Sequence, residues 1–129
     1  MSSAGQGYAA EPAAAPGSSA KAEVWLWIAQ RASAALLVLC VLVHLVIIIY
    51  AVRHGLSGAA ILGRTRGNAA GLVFYVAFVL AIAVHAPIGL RTLCQEWLGW
   101  RSASLNWFVA AIALALLAFG LRAAWAVFI

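Results

Sequence analysis

The residues with most chemistry to offer are two histidines set inside long apolar runs, His44 and His85, together with Arg31 and Arg91. A charged side chain at the centre of a bilayer costs roughly 2.5–3.5 kcal/mol or more, so ionisable groups at such depth call for a reason. His85 sits within LVFYVAFVLAIAVHAPIGLRTLCQEWL, residues 72–98. Steps of three or four residues along a helix lead from it to Ala77, Ala81, Gly89, Thr92 and Glu96, a face of small residues holding one imidazole. Pro87 has no N–H, which deprives the Ala83 carbonyl of its helical partner, and with Gly89 it predicts a bend beside the histidine. An imidazole near mid-membrane on a small-residue face, with Arg91 nearer the surface, suits an axial ligand of a haem whose propionates point toward that arginine. The same pattern suits a histidine hydrogen-bonded across a helix interface, and this helix alone does not separate the two.

Long membrane helices must position these groups. The chain has 129 residues, of which 67% are hydrophobic and 9% charged, a composition that excludes an ordinary soluble domain. Three apolar stretches, at about 24–52, 70–98 and 104–128, are each long enough to cross ~30 Å of hydrocarbon at ~1.5 Å per residue. The expected fold is therefore an all-α membrane protein whose three transmembrane helices form half of a larger helical bundle. So small a bundle has little interior, and a partner that completes a pocket is expected. Residues 1–23, rich in Ala, Gly, Ser and Pro, read as a flexible tail before an anchor domain over 24–129. Residues 53–69, RHGLSGAAILGRTRGNA, read as an exposed loop with one interfacial turn, in which His54 is simply solvated. The short turn at 99–103 requires antiparallel second and third helices, and the third, rich in Ala and Gly, reads as a packing element.

The net charge of +5 is spread over single basic residues without a dense run, which excludes nucleic-acid binding. Trp25, Trp27, Trp97, Trp100, Trp107 and Trp125 fall at span ends, where tryptophan anchors a helix at the interface. Cys40 and Cys94 fall in different spans and read as buried, inert thiols. No signal peptide is visible, so the first helix is expected to serve as its own insertion signal.

On the first helix Ser33, Leu37, Cys40 and His44 share one face, while Arg31 points well away from His44 and is long enough to snorkel to the interface. If Arg31 and Arg91 lie at one membrane face, His44 lies about 20 Å from it and His85 about 9 Å. That mismatch is too large for two ligands on one iron and favours two haems, each taking one ligand from this chain and one from a partner.

The run His85-x-x-x-Gly89-Leu90-Arg91, with Glu96 beyond it, resembles the haem-bearing helix of the cytochrome b membrane-anchor subunits of succinate dehydrogenases and fumarate reductases. That family typically reads H-x-x-x-G-[IL]-R-H-[LM]-x-x-D. Here Thr92 replaces the second His and Glu96 the Asp. Gln30-Arg31-Ala32-Ser33-Ala34 is similar to the family's H-R-x-[ST]-G in the first helix, with the leading His and final Gly replaced. The resemblance implies one or two haem b groups shared with a partner chain, with His85 and His44 as axial ligands. It implies that Arg31 and Arg91 serve haem propionates or a quinone oxygen, with Ser33 as a hydrogen-bond donor to the quinone. Glu96 is either a proton relay or a surface partner of Arg91.

The resemblance further implies a flavoprotein subunit that carries out the carbon chemistry, an iron-sulfur subunit that relays electrons, a second membrane-anchor subunit, and quinone as substrate in the lipid bilayer. This chain has no flavin or iron-sulfur motif, so its own part would be non-catalytic electron transfer. Basic residues divide evenly between the two ends, Lys21, Arg31, Arg91 and Arg101 against Arg53, Arg64, Arg66 and Arg122. The positive-inside rule is therefore tied, and only the resemblance implies a bacterial-type inner membrane with a cytoplasmic N-terminus. Two other classes compete. One is a haem-free structural or assembly protein with interhelical histidines, which predicts no Soret band. The other is a small transporter subunit, against which stands the lack of a second intramembrane acid or a broken-helix pair.

Overall fold

The computed structural model describes residues 18–129. Its elements are α1 (Ser18–His54), α2 (Gly58–Thr65), α3 (Ala69–Trp97) and α4 (Ala103–Phe128), and no strand forms among the described residues. Within lipid every backbone N–H and C=O must find its partner inside the segment, so long Ala, Leu, Val and Ile runs become helices. α1, α3 and α4 have 37, 29 and 26 residues, each long enough and apolar enough to cross a membrane. The expected tail lies outside the described residues up to residue 17. From Ser18 onward the chain is already helical, so α1 carries Lys21 and Glu23 on its first turns.

The connections are built by local polar groups. Gly55, at φ 110°, ends α1, and the Ser57 hydroxyl then accepts from the Ala60 amide at 3.2 Å. That cap lets GAAILGRT close into the short helix α2, which takes the middle of the segment expected to be a loop. The Asn68 side chain caps α3 by accepting from the Gly71 amide at 2.9 Å. At the far end of α3 the amides of Leu98 and Trp100 both donate to the Cys94 carbonyl, and Gly99, at φ 63°, reverses the chain into α4. The Gly67 amide donates to the Phe128 carbonyl and the Arg66 guanidinium to that of Ile129, tying the α2–α3 junction to the end of α4.

α3 is the central helix: α1 packs against it, and so does α4. The buried residues are mostly small, Ser33 and Cys40 on α1, Ala81, Ala83, Pro87 and Cys94 on α3, Ala124 on α4, with Leu105 the one large side chain fully enclosed among the described residues. Large apolar residues such as Leu39 and Val46 face outward, as expected where lipid is the solvent. α3 continues on both sides of Pro87 without a break. A Cβ placed on Gly120 would come within 2.6 Å of Val79 Cγ1, so the α3–α4 seam depends on that glycine for its closeness.

Candidate functional site

His85 lies on the α3 face that meets α1. Its Nδ1 is 3.4 Å from the Gln30 carbonyl oxygen and 3.5 Å from Ser33 Oγ. Ser33 is buried at 7% exposure, and its hydroxyl donates to the Ala29 carbonyl at 2.6 Å, with the Gln30 carbonyl at 3.1 Å. With that hydroxyl proton spent within α1, Ser33 Oγ can only accept toward the imidazole, and the Gln30 carbonyl can only accept in any case. Both neighbours therefore favour the tautomer with the proton on Nδ1, which leaves a lone pair on Nε2. A carbonyl or hydroxyl on one imidazole nitrogen orients the other toward a metal, so this donor set fits a single axial ligand. Among the described residues no group of three or more His, Cys, Asp or Glu could hold a metal ion, and a macrocycle-bound iron does not need such a group.

One turn beyond His85, Gly89 faces the side chain of Gln30. A Cβ on Gly89 would stand 3.2 Å from Gln30 Nε2, so the glycine makes room for the carboxamide. The Gln30 Oε1 is shut off from solvent and has no partner among the described residues. From here a groove of about 570 Å³ runs toward the α1 N-terminus, bordered by Glu23, Trp27, Gln30, Gly89, Arg91 and Glu96 among others. Arg91 crosses its mouth. The guanidinium donates to Glu23 Oε1 at 3.2 Å and to Asn106 Oδ1 at 3.4 Å, which joins α1, α3 and α4 through one side chain. Arg91 is 21% exposed and Glu23 62%, so the pair is wet on the Glu23 side.

The expected site residues do not all converge. His85 and Ser33 meet across the α1–α3 seam, and Arg91 stands in the adjoining groove. Arg31 is exposed on the outer side of α1 with its guanidinium 4.6 Å from the centroid of Trp27, whose ring lines the groove. Arg31 thus reaches the groove only through an aromatic ring. Arg91 is level with Glu23 on α1, not with Arg31, so the two arginines differ in depth by about 12 Å. His44 lies against Tyr75 and Phe78, edge-on at 5.8 and 5.7 Å between centroids. Its Nδ1 is buried without a hydrogen-bond partner among the described residues. Measured along either helix from the contacts of His85, His44 is about 10–20 Å away, so the two imidazoles do not face one common centre. His54 is exposed and stacked on Tyr50, and its Nδ1 lies 2.8 Å from the Tyr50 carbonyl oxygen.

Two groove residues escaped sequence reasoning. Glu23 is one of only three acidic residues in the chain, and it takes the partnership with Arg91 that the sequence had offered to Glu96. Five residues along a helix turn Glu96 about 140° away from Arg91, whereas Glu23 faces it across the seam. Gln30 had entered only as a replacement in a motif. Glu23, Trp27 and Gln30 share one helical stripe, a signal present in the sequence but common to any helix face.

A family model described as succinate dehydrogenase/fumarate reductase transmembrane subunit matches residues 11–121. No curated protein and no solved structure matches the chain.

Proposed function

We propose that this chain, which belongs to the family of succinate dehydrogenase/fumarate reductase transmembrane subunits, is the haem b-binding anchor that passes electrons between an iron-sulfur subunit and membrane quinone. The observation that carries this is the setting of His85: an imidazole inside a span, its Nδ1 beside a carbonyl and a spent hydroxyl, its Nε2 left as a ligand. Haem b supplies, when bound, a one-electron store between the iron-sulfur relay and quinone. Ser33 and the Gln30 carbonyl hold the His85 ring in the tautomer that ligates. Arg91, a donor-only cation at the groove mouth, neutralises a propionate or a quinone oxygen. Arg31 contributes positive charge from behind Trp27, a longer route than direct contact. His44, too distant to share an iron with His85, is the ligand for a second haem.

Membership of the family implies a complex with other subunits in the membrane. In the finer reading these are a flavoprotein, an iron-sulfur protein and a second anchor chain. The second anchor chain belongs to this reading because His85 offers a single ligand, and a haem held from both sides would draw the other from that chain. The Glu23–Arg91 end holds the ligand-binding polar groups and is where soluble subunits would deliver electrons. The N-terminus and the α3–α4 turn then face the cytoplasm of a bacterial-type inner membrane.

One observation favours a second reading, a haem-free anchor in which His85 merely joins α1 to α3, because its Nδ1 already has neighbours on α1. A reduced-minus-oxidised spectrum with pyridine haemochrome quantitation of the purified complex separates the two. The haem reading expects a b-type spectrum that loses haem in His85→Ala, with a further, separate loss in His44→Ala. A wild-type complex without a Soret band would refute it.

A further inference from the structure

The groove asks for a ligand with a particular hydrogen-bonding property, and Gln30 supplies the clue. A quinone presents carbonyl oxygens that accept, while its reduced form presents hydroxyls that donate. A site that serves both must be able to give and to take a hydrogen bond at one position. Most polar groups around the groove can do only one. The guanidinium of Arg91 and the indole N–H of Trp27 only donate, and ionised Glu23 and Glu96 only accept. Thr92 also borders the groove, but its hydroxyl spends its proton on the Ile88 carbonyl at 3.2 Å.

Gln30 is different. Its carboxamide has both an N–H₂ donor and a C=O acceptor, and a half-turn about its last torsion exchanges them without moving the rest of the side chain. Gly89 leaves the space in which that end group sits, with Nε2 3.2 Å from the nearest position a Cβ would take. The buried Oε1 has no partner among the described residues, although leaving a buried acceptor unpaired is unfavourable. As the side chain stands Oε1 is closed off from the groove, so a ligand hydroxyl reaches it only after the half-turn has exchanged it with Nε2.

Resting on the quinone reading above, we infer that the Gln30 carboxamide is the redox-indifferent binding group of the groove, donating to the carbonyl of the oxidised head group and accepting from the hydroxyl of the reduced one. Its backbone carbonyl is simultaneously a neighbour of His85 Nδ1, so one residue contacts both the imidazole and the ligand. Side-chain variants leave that carbonyl in place, which makes the two roles separable.

The test is binding of short-tailed benzoquinone and naphthoquinone, each in oxidised and reduced form, to the purified complex holding wild type, Gln30→Leu or Gln30→Glu. Haem content serves as the check that each variant is assembled. Gln30→Leu, similar in volume and without polar atoms, is expected to weaken both forms about tenfold with haem content unchanged. Gln30→Glu, which accepts only when ionised, is expected to retain the reduced form and lose about tenfold for the oxidised form. Wild-type affinity in both variants, or an equal loss of both forms in Gln30→Glu, overturns the assignment of Gln30. A wild-type complex that binds none of the four probes overturns the quinone reading itself.

Discussion

Replacing Gly120 with alanine inserts one methyl group into the α3–α4 seam, where the structure leaves it no room. The new Cβ would stand 2.6 and 2.8 Å from the two Val79 methyls and 3.3 Å from Val79 Cβ. Optimal carbon–carbon contact is ~3.5–4.0 Å, so the overlap is about 1 Å on each methyl. Valine is stiff at χ1 in a helix, and turning one methyl away leaves the other in place. The helices must therefore separate or distort, at a cost of about 1–3 kcal/mol. Val79→Ala alone removes two methyls from the seam and costs about 0.5–2 kcal/mol. In the double variant only the 3.3 Å approach to Val79 Cβ remains, so much of the strain is relieved. Unfolding midpoints in mild detergent, followed by circular dichroism over an SDS titration, measure all four proteins. The double variant is expected to be more stable than Gly120→Ala, giving a coupling on the order of 1–2 kcal/mol. Wild-type stability in Gly120→Ala, or strict additivity in the double variant, would refute the packing argument.

Other predictions concern the site. A double-mutant cycle on Glu23 and Arg91 should give a coupling of no more than about 1 kcal/mol that shrinks with salt, because Glu23 is 62% exposed. Arg91→Gln should nonetheless weaken binding of an anionic or carbonyl ligand in the groove far more than it lowers the unfolding midpoint. Ser33→Ala should reduce haem retention by roughly tenfold or less, at the low end for a residue behind a metal ligand, since the Gln30 carbonyl at 3.4 Å still faces His85 Nδ1; complete haem loss would mean that Ser33 does more than orient the ring. Arg31→Ala and Trp27→Leu should each cost about 0.5–1 kcal/mol of stability through the lost cation–π contact. If Arg31→Ala abolishes quinone binding as fully as Arg91→Gln, the outer placement of Arg31 is functionally misleading.

Periodicity alone made much of this protein legible. The three spans follow from apolar length, because a bilayer demands a continuous run and internal hydrogen bonding. Spacing puts Ser33 and Cys40 on one face of α1, and both are buried there. α2 was harder to read because eight residues with a single serine cap lie at the boundary between a turn and a helix. Of the small residues aligned with His85, Gly89 proved to lie where α1 approaches α3, against Gln30.

The sequence by itself determined which groups are available, at what spacing along each helix, and that they are held in lipid. It could assign Arg31 to a side of α1 facing away from His44, and it could separate His44 from His85 in depth. Only the tertiary structure decided the register of α1 against α3, and with it that Glu23 rather than Glu96 meets Arg91, that Arg31 and Arg91 lie at different depths, and that His85 meets Ser33 and the Gln30 carbonyl. The reason is geometric. A helix fixes the angular relation of its own residues through ~3.6 residues per turn, but sliding one helix along another by a single turn changes every cross-helix partner while leaving each helix's own pattern intact.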